Sequence, residues 1–261
     1  MNINKEEYTK HIKDNEKKIE IRKIIDKIEI VLNKHIIQTT DFLDPFEVEL
    51  AVSVLNRFEE IEYSLEGGYQ DAERKIIIIY PFYIFKEDIE IPVSSLKITG
   101  DLKEIEHKDY LGSILSLGLK RSKIGDILVY EDEGVLIVKQ EISDFVLYNL
   151  EKIRNKNIEI FIHNQAEIEP PLEEYKEINK FLVSLRIDSI ISAAYNLSRK
   201  ESILIIDSGK VKINFETIDR ASKEVKEGDL ISVKGFGRFI LHKIKGTSKS
   251  GRFICVIRII L

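Results

Sequence analysis

The chain has 261 residues, 43% hydrophobic and 33% charged, with a net charge of −5. Its pI lies near 5.7, and such a chain is long and apolar enough to fold into two or three domains with cores of their own. A single cysteine, Cys255, excludes an internal disulfide framework and a cysteine-based zinc site, and no apolar run approaches the roughly 20 residues of a membrane span.

Residues 1–18 are charged throughout and lack the apolar core of a signal peptide, so a cytoplasmic protein without membrane partners is expected. Residues 5–35 read as one or two helices, with Tyr8, Ile12, Ile19, Ile24, Ile25, Ile28 and Val31 at helical spacing. A further helix opens with Asp44 as N-cap and Pro45 at the first helical position. Ile76 to Tyr80 is a short β-branched run stopped by Pro81 and reads as a buried strand. Residues 1–88 are thus expected to form a mostly helical domain with one short strand.

Residues 89–165 follow another rhythm. Leu96 to Ile98 reads as a strand and residues 107–117 as a helix. Asp126 to Tyr130 and Val135 to Lys139 form a hairpin, Ser143 starts a helix, and Ile158 to Ile162 closes as a strand. The order βαββαβ predicts a ferredoxin-like or RNA-recognition-motif domain, and an α+β fold class overall. Such a sheet binds RNA through aromatic residues on its central strands. Gly134 to Lys139 has none, so base stacking there is not expected. Residues 166–180, with Glu169-Pro170-Pro171 and no periodicity, read as an extended linker.

Charge inverts at the C-terminus. Residues 181–261 hold 15 Lys and Arg against 8 Asp and Glu, whereas residues 1–180 hold 25 against 37. A basic module on an acidic body is the electrostatic footprint of nucleic-acid binding. The module is predicted to open with two short helices, the first from about Asp188 to Tyr195. The second has Ser198 as N-cap, Glu201 completing a capping box, and Gly209 as its left-handed C-terminal residue. Arg199 and Lys200 sit in its first turn, where free backbone N–H groups already favour a phosphate. Arg186 precedes the first helix, and Arg186, Arg199 and Lys200 are expected to converge on one RNA backbone. Lys210, Lys212 and Asn214, at the start of the following strand, extend that surface, and Lys234 adds a further cation. Arg199 has an alternative partner in Asp188.

The stretch from Ser184-Leu185-Arg186-Ile187-Asp188 to Lys234-Gly235 resembles the small RNA-binding domain first known in ribosomal protein S4. Upstream, Gly67-Gly68-Tyr69, Ala72-Glu73-Arg74-Lys75, His107 to Gly112, Leu117 to Arg121 and Ile124-Gly125-Asp126-Ile127 resemble the YlmH family. That resemblance implies a bacterial RNA-binding protein of the large ribosomal subunit, with rRNA and peptidyl-tRNA as partners, acting in ribosome-associated quality control. It also implies an association with cell-division gene clusters. Departures from the S4-like pattern are Ile187 for Leu, Ser202 for Ala, and Lys234 where Arg is usual; Lys234 keeps the charge but not the bidentate fork.

An enzyme is the main rival, and its parts are missing. No phosphate loop, dinucleotide fingerprint or methyltransferase glycine loop occurs, and the five histidines are scattered without metal-ligand spacing. His107 and Asp109, two apart on a helix, face different ways and fit capping better than catalysis. A non-catalytic RNA-binding monomer without metal or cofactor is therefore expected. The alternatives are an RNA-modifying enzyme or accessory factor with an unrecognised site, and a division-linked scaffold.

Overall fold

The computed structural model describes residues 3–12 and 14–261, which form two compact units, one ending at Pro171 and one spanning Leu172–Leu261. The first begins with helices α1 (Lys5–Thr9) and α2 (Asn15–Lys34); Lys13, inside the helical region expected from sequence, lies outside the described residues. Strand β1 (Gln38–Thr39) leads to α3 (Pro45–Leu55), which starts at the expected Asp44 with a complete Asp44–Glu47 capping box. Lys17 on α2 reaches Asp44 at 2.7 Å and Glu47 at 2.8 Å, tying the two helices together. Burial opposes charge on Lys17, but the two carboxylates outweigh it and hold its pKa above the ordinary lysine value.

Strands β2 (Ile61–Glu66) and β3 (Ile76–Pro81) complete an antiparallel sheet of order β1-β3-β2. Only β3 stands out in the sequence, because all of its residues are buried. Ile77 and Ile79 pack into the helical core with Ile24, Ile28 and Val54, while Ile76, Ile78 and Tyr80 face the other way. Two-sided burial yields the continuous apolar run. β2, with exposed and half-buried positions, leaves no such trace.

The rest of the unit comprises β4 (Val93–Gly100), α4 (His107–Ser116), β5 (Ile124–Val129), β6 (Glu133–Lys139), α5 (Gln140–Asn149), β7 (Lys152–Ile153) and β8 (Lys156–His163). Neighbours in the sheet order β5-β6-β4-β8-β7 are antiparallel, so β4 and β6 are central, as a split βαβ arrangement requires. Helix α5 starts at Gln140, three residues before the predicted Ser143. The Ser143 hydroxyl donates to the Gln140 carbonyl inside the first turn instead of capping it. Asp109 does cap α4, its carboxylate accepting from the Glu106 N–H at 3.0 Å.

One face of this sheet packs on α4 and α5 through Leu96, Ile98, Leu136 and Val138. On its other face, Val93, Leu128, Val135 and Ile137 share a core with Ile76, Ile78 and Tyr80 of β3 and with Phe42. The surface that would carry stacked bases in an RNA-recognition motif is thus largely a sheet-to-sheet interior. That shared core explains why the expected boundary at 88/89 falls inside one compact unit.

A polar clasp closes the same seam. The Asp126 carboxylate accepts from the Tyr69 hydroxyl at 2.8 Å and from the backbone N–H groups of Glu73 and Arg74 at 2.7 and 3.0 Å. The Arg74 guanidinium donates to the Ile124 and Phe42 carbonyls at 3.2 and 2.8 Å. Gly125 is required by close approach: a Cβ there would lie 2.8 Å from the Phe42 ring.

The second unit contains β9 (Tyr175–Leu182), α6 (Ile187–Tyr195), α7 (Arg199–Asp207), β10 (Val211–Ile213), β11 (Glu216–Thr217), β12 (Leu230–Val233), β13 (Gly237–Thr247) and β14 (Phe253–Ile260). Its antiparallel sheet has the order β11-β10-β12-β13-β14-β9, and both helices pack on one face around Ile190, Ile191, Ile206, Ile231, Phe239 and Cys255. The linker expected at 166–180 is corrected here. Beyond Glu174 it is a strand, and β9 pairs with β14 along its whole length, from Leu182↔Phe253 to Tyr175↔Ile260. Its charged side chains, usual on an edge strand, hide the alternation, and its partner lies about 80 residues away.

Removing the clasp should loosen the first unit. Asp126→Ala leaves two backbone N–H groups and a hydroxyl without their acceptor, a loss of about 2–4 kcal/mol, whereas Asp126→Asn retains one acceptor oxygen and should lose less. Urea denaturation followed by circular dichroism measures both, and an Asp126→Ala midpoint equal to that of the parent contradicts the clasp.

Candidate nucleic-acid interface

Seven of the basic unit's cations fall into two groups, one at each end of α7. The first is built around Asp188, which has no solvent exposure. The Arg186 guanidinium donates two hydrogen bonds to its carboxylate, both at 3.1 Å, and Arg199 donates a third at 2.9 Å. Burial pushes the Asp188 pKa up, but the two guanidiniums outweigh it and hold the carboxyl below the ordinary aspartate value. The backbone around Arg186 is fixed by a bridge to Glu224 and by the Ile187 N–H donating to the Lys223 carbonyl at 2.8 Å.

Arg186 and Arg199 therefore converge on a carboxylate of the protein itself, Asp188. Their side chains remain 36% and 63% exposed, so the group is a net cation whose guanidinium edges reach solvent in fixed orientation. Lys200 follows, exposed on the first turn of α7. Ser198 caps that turn: its hydroxyl accepts from the Glu201 N–H at 3.2 Å, and the Glu201 carboxylate accepts from the Ser198 N–H at 2.8 Å. Ser202 is fully buried, and its hydroxyl donates to the Ser198 carbonyl at 3.2 Å.

The second group lies beyond the other end of α7, about 14 Å along a helix of this length. The chain leaves α7 through Gly209, at φ +69°, and enters β10. Lys210, Lys212, Lys234 and Arg238 line a cleft of about 320 Å³ together with Ser232 and the backbone of Gly209, Gly235 and Gly237. The Lys234 N–H donates to the Lys210 carbonyl at 2.9 Å, joining the two turns. Lys212, Ser232 and Arg238 are register partners across β10, β12 and β13, so the pleat presents them on one face. Arg238 also sits over the Phe215 ring at 5.6 Å. Sequence reasoning passed over Arg238; the signal available was that residues 230–261 contain seven Lys and Arg and no acid.

Asn214 belongs to neither group. With Phe215 it forms the two-residue left-handed turn from β10 to β11, at φ +47° and +68°. Its side-chain oxygen accepts from the Leu230 N–H at 2.9 Å and its amide donates to Asp229 at 2.8 Å. Its polar atoms hold the turn against β12.

Three family models match successive parts of the chain. Residues 16–84 match the family model described as "YlmH, N-terminal", residues 85–167 the model "Putative RNA-binding domain in YlmH", and residues 185–231 the "S4 domain". The chain is 31% identical over 226 residues to "Ribosome-associated protein quality control protein P2" of Bacillus subtilis (strain 168), covering 86% of this chain and 88% of that protein. It also resembles the solved structure "Cell division protein ylmH from Streptococcus pneumoniae", with a TM-score of 0.53 and 21% identity. That match covers 60% of this chain and 96% of the other, and it speaks to fold alone.

The buried carboxylate has a pH signature. Its folded-state pKa lies below the unfolded value, so its stabilisation is complete above about pH 4 and is lost as pH falls further. Asp188→Asn should cost about 1–3 kcal/mol at pH 7 and approach the parent protein near pH 3. Urea midpoints of both proteins at the two pH values measure this; a difference that persists undiminished at pH 3 contradicts the ionised bridge.

Proposed function

The chain belongs to the YlmH family, and from that premise we propose that it is a non-catalytic RNA-binding factor of the ribosome, acting in quality control of stalled translation. Its seat is the large subunit in the cytoplasm, with rRNA and peptidyl-tRNA as the RNA it touches, and it acts as a monomer.

The observation that carries this reading is the pair of oriented cation groups at the two ends of α7. Fixed guanidiniums and exposed lysines flanking a short helix suit a phosphodiester backbone, which presents charge at regular intervals and needs no base contact for affinity. The arrangement binds and orients. Neither group pairs a nucleophile with a base, and the Asp188 carboxyl is held ionised between two arginines, which makes it a poor proton shuttle.

Asp188 also dictates which variants are informative. Reversing Arg186 and Arg199 to Glu would set two new carboxylates against a buried one, so loss of binding would follow from unfolding alone. The better variant is Arg186→Gln/Arg199→Gln/Asp188→Asn, which removes the cations and the buried anion together. A companion, Lys200→Glu/Lys210→Glu/Lys234→Glu, alters exposed side chains only. Each should weaken co-sedimentation with large subunits at least tenfold. Each should also flatten the slope of log affinity against log salt by roughly 0.7–0.9 for every phosphate that is no longer neutralised. Parent-like sedimentation of both folded variants contradicts the proposal.

A further inference from the structure

β13 and β14 continue well past the α7 cleft. β12 pairs with β13 only as far as Ile240, whereas β13 runs on to Thr247, about 20 Å further, with β14 and β9 beside it. This three-stranded arm lies outside the S4-domain match, which ends at residue 231. We propose that the arm is a second RNA-binding surface, holding a phosphodiester backbone with Lys243, Lys245, Lys249 and Arg252 and stacking an unpaired base on Phe181. The proposal rests on the RNA-binding reading above and adds a site to it.

Two irregularities in the β13–β14 register aim the cations. Pairing passes from Leu241↔Ile257 to Lys243↔Val256, and from Ile244↔Cys255 to Gly246↔Ile254, so His242 and Lys245 are inserted residues. Such bulges redirect side chains that strict alternation would place elsewhere. Here Leu241 and Ile244 both stay in the core, while Lys243 joins Val256 and Asn179 on the opposite face. Lys245 is brought onto that face too, donating to the Asn179 side chain at 3.1 Å. The tip is ordered by Ser248, whose N–H donates to the Arg252 carbonyl at 2.8 Å and whose hydroxyl accepts from the Arg252 N–H at 3.1 Å.

From Leu230 onward the chain's charged side chains have one sign, since no acid occurs after Asp229. The Asn179 side chain that Lys245 meets is a neutral amide, and Glu227, from the preceding turn, is engaged by the Ile244 N–H at 2.8 Å. The opposite end of the arm differs: Arg258 bonds Glu177 at 3.2 Å and covers the Tyr175 ring at 4.3 Å. Edge protection is supplied separately by β9, the strand at the sheet edge, with Lys176, Glu177 and Lys180. A single-sign stretch carries a cost in self-repulsion that a polyanion relieves. Phe181, 60% exposed, stands beside Ile254 in the register on the same face as Lys243. Cations flanking an exposed aromatic ring suit a single-stranded or unstacked segment of RNA.

The test uses the full chain, a fluorescein-labelled 20-nucleotide RNA of mixed sequence, and purified large subunits. Lys245→Glu/Lys249→Glu/Arg252→Glu should weaken RNA binding at least tenfold and lower the salt slope by about 2, with Lys245→Gln/Lys249→Gln/Arg252→Gln intermediate. Phe181→Ala should weaken it roughly tenfold without changing the slope. Circular dichroism melts check that each variant folds. If the arm variants bind RNA like the parent while the α7 variants lose binding, the arm proposal is overturned and the RNA reading stands. If neither set changes RNA affinity, both fall. Loss of subunit binding with unchanged affinity for free RNA overturns the arm proposal in favour of a ribosomal protein as its occupant.

Discussion

A carboxylate without solvent exposure is tolerable only when its charge is met by fixed partners, and Asp188 meets its two partners from two different helices. Arg186 precedes α6 and Arg199 opens α7, so one anion fixes the relative placement of both helix starts. Losing a partner from a buried ion pair costs several kcal/mol, softened here because the guanidiniums are partly hydrated and can recover water. The positive surface follows from the same bridge. Each guanidinium is held from behind and turned outward, so part of the ordering cost of a phosphate contact is met during folding.

The acidic unit answers a different demand. Three of the short sequences by which it resembles its family, Gly67 to Tyr69, Ala72 to Lys75 and Ile124 to Ile127, converge on one seam. His107 to Gly112 packs on the sheet's other face. Tyr69, Glu73, Arg74 and Asp126 form a hydrogen-bonded clasp, and Gly125 makes room for Phe42 beneath it. These residues join two sheets, and their joining removes most of a ferredoxin-like face from solvent. On the reading proposed above, RNA binding falls to the basic unit, whose net charge is opposite to that of the acidic unit. An acidic body of this kind also limits non-specific attraction to nucleic acid, so that binding relies on oriented contacts.

Local chemistry was legible in the sequence; long-range pairing was not. Asp44-Pro45 and Ser198 with Glu201 foretold helix starts because capping is settled within four residues. The hairpin joining Asp126–Tyr130 to Val135–Lys139 and the βαββαβ order are visible for the same reason, since turns and periodicity are local; the second strand begins two residues earlier than expected, at Glu133. β9 has the sequence of a linker because its partner is the distant β14, and β2 leaves no signal because half-buried positions carry no periodic mark. Asp188 was foreseen as an alternative partner of Arg199, but its burial, and its capture of Arg186 as well, depend on how the two helices pack. Asn214, expected as an RNA contact, is also a turn residue whose side chain engages Leu230 and Asp229, a role its sequence does not reveal because the partners lie about 15 residues away.

The central claim is that the basic unit, through the two ends of α7, is the RNA-facing part of this chain. Ultraviolet crosslinking of the full chain to large ribosomal subunits carrying peptidyl-tRNA, followed by mass spectrometry of the nucleotide-bearing peptides, tests it directly. The account predicts adducts on peptides containing Arg199-Lys200 and on those spanning Lys210 to Asn214 or Lys234 to Arg238. Adducts confined to residues before Pro171, with the C-terminal peptides recovered unmodified, would contradict it.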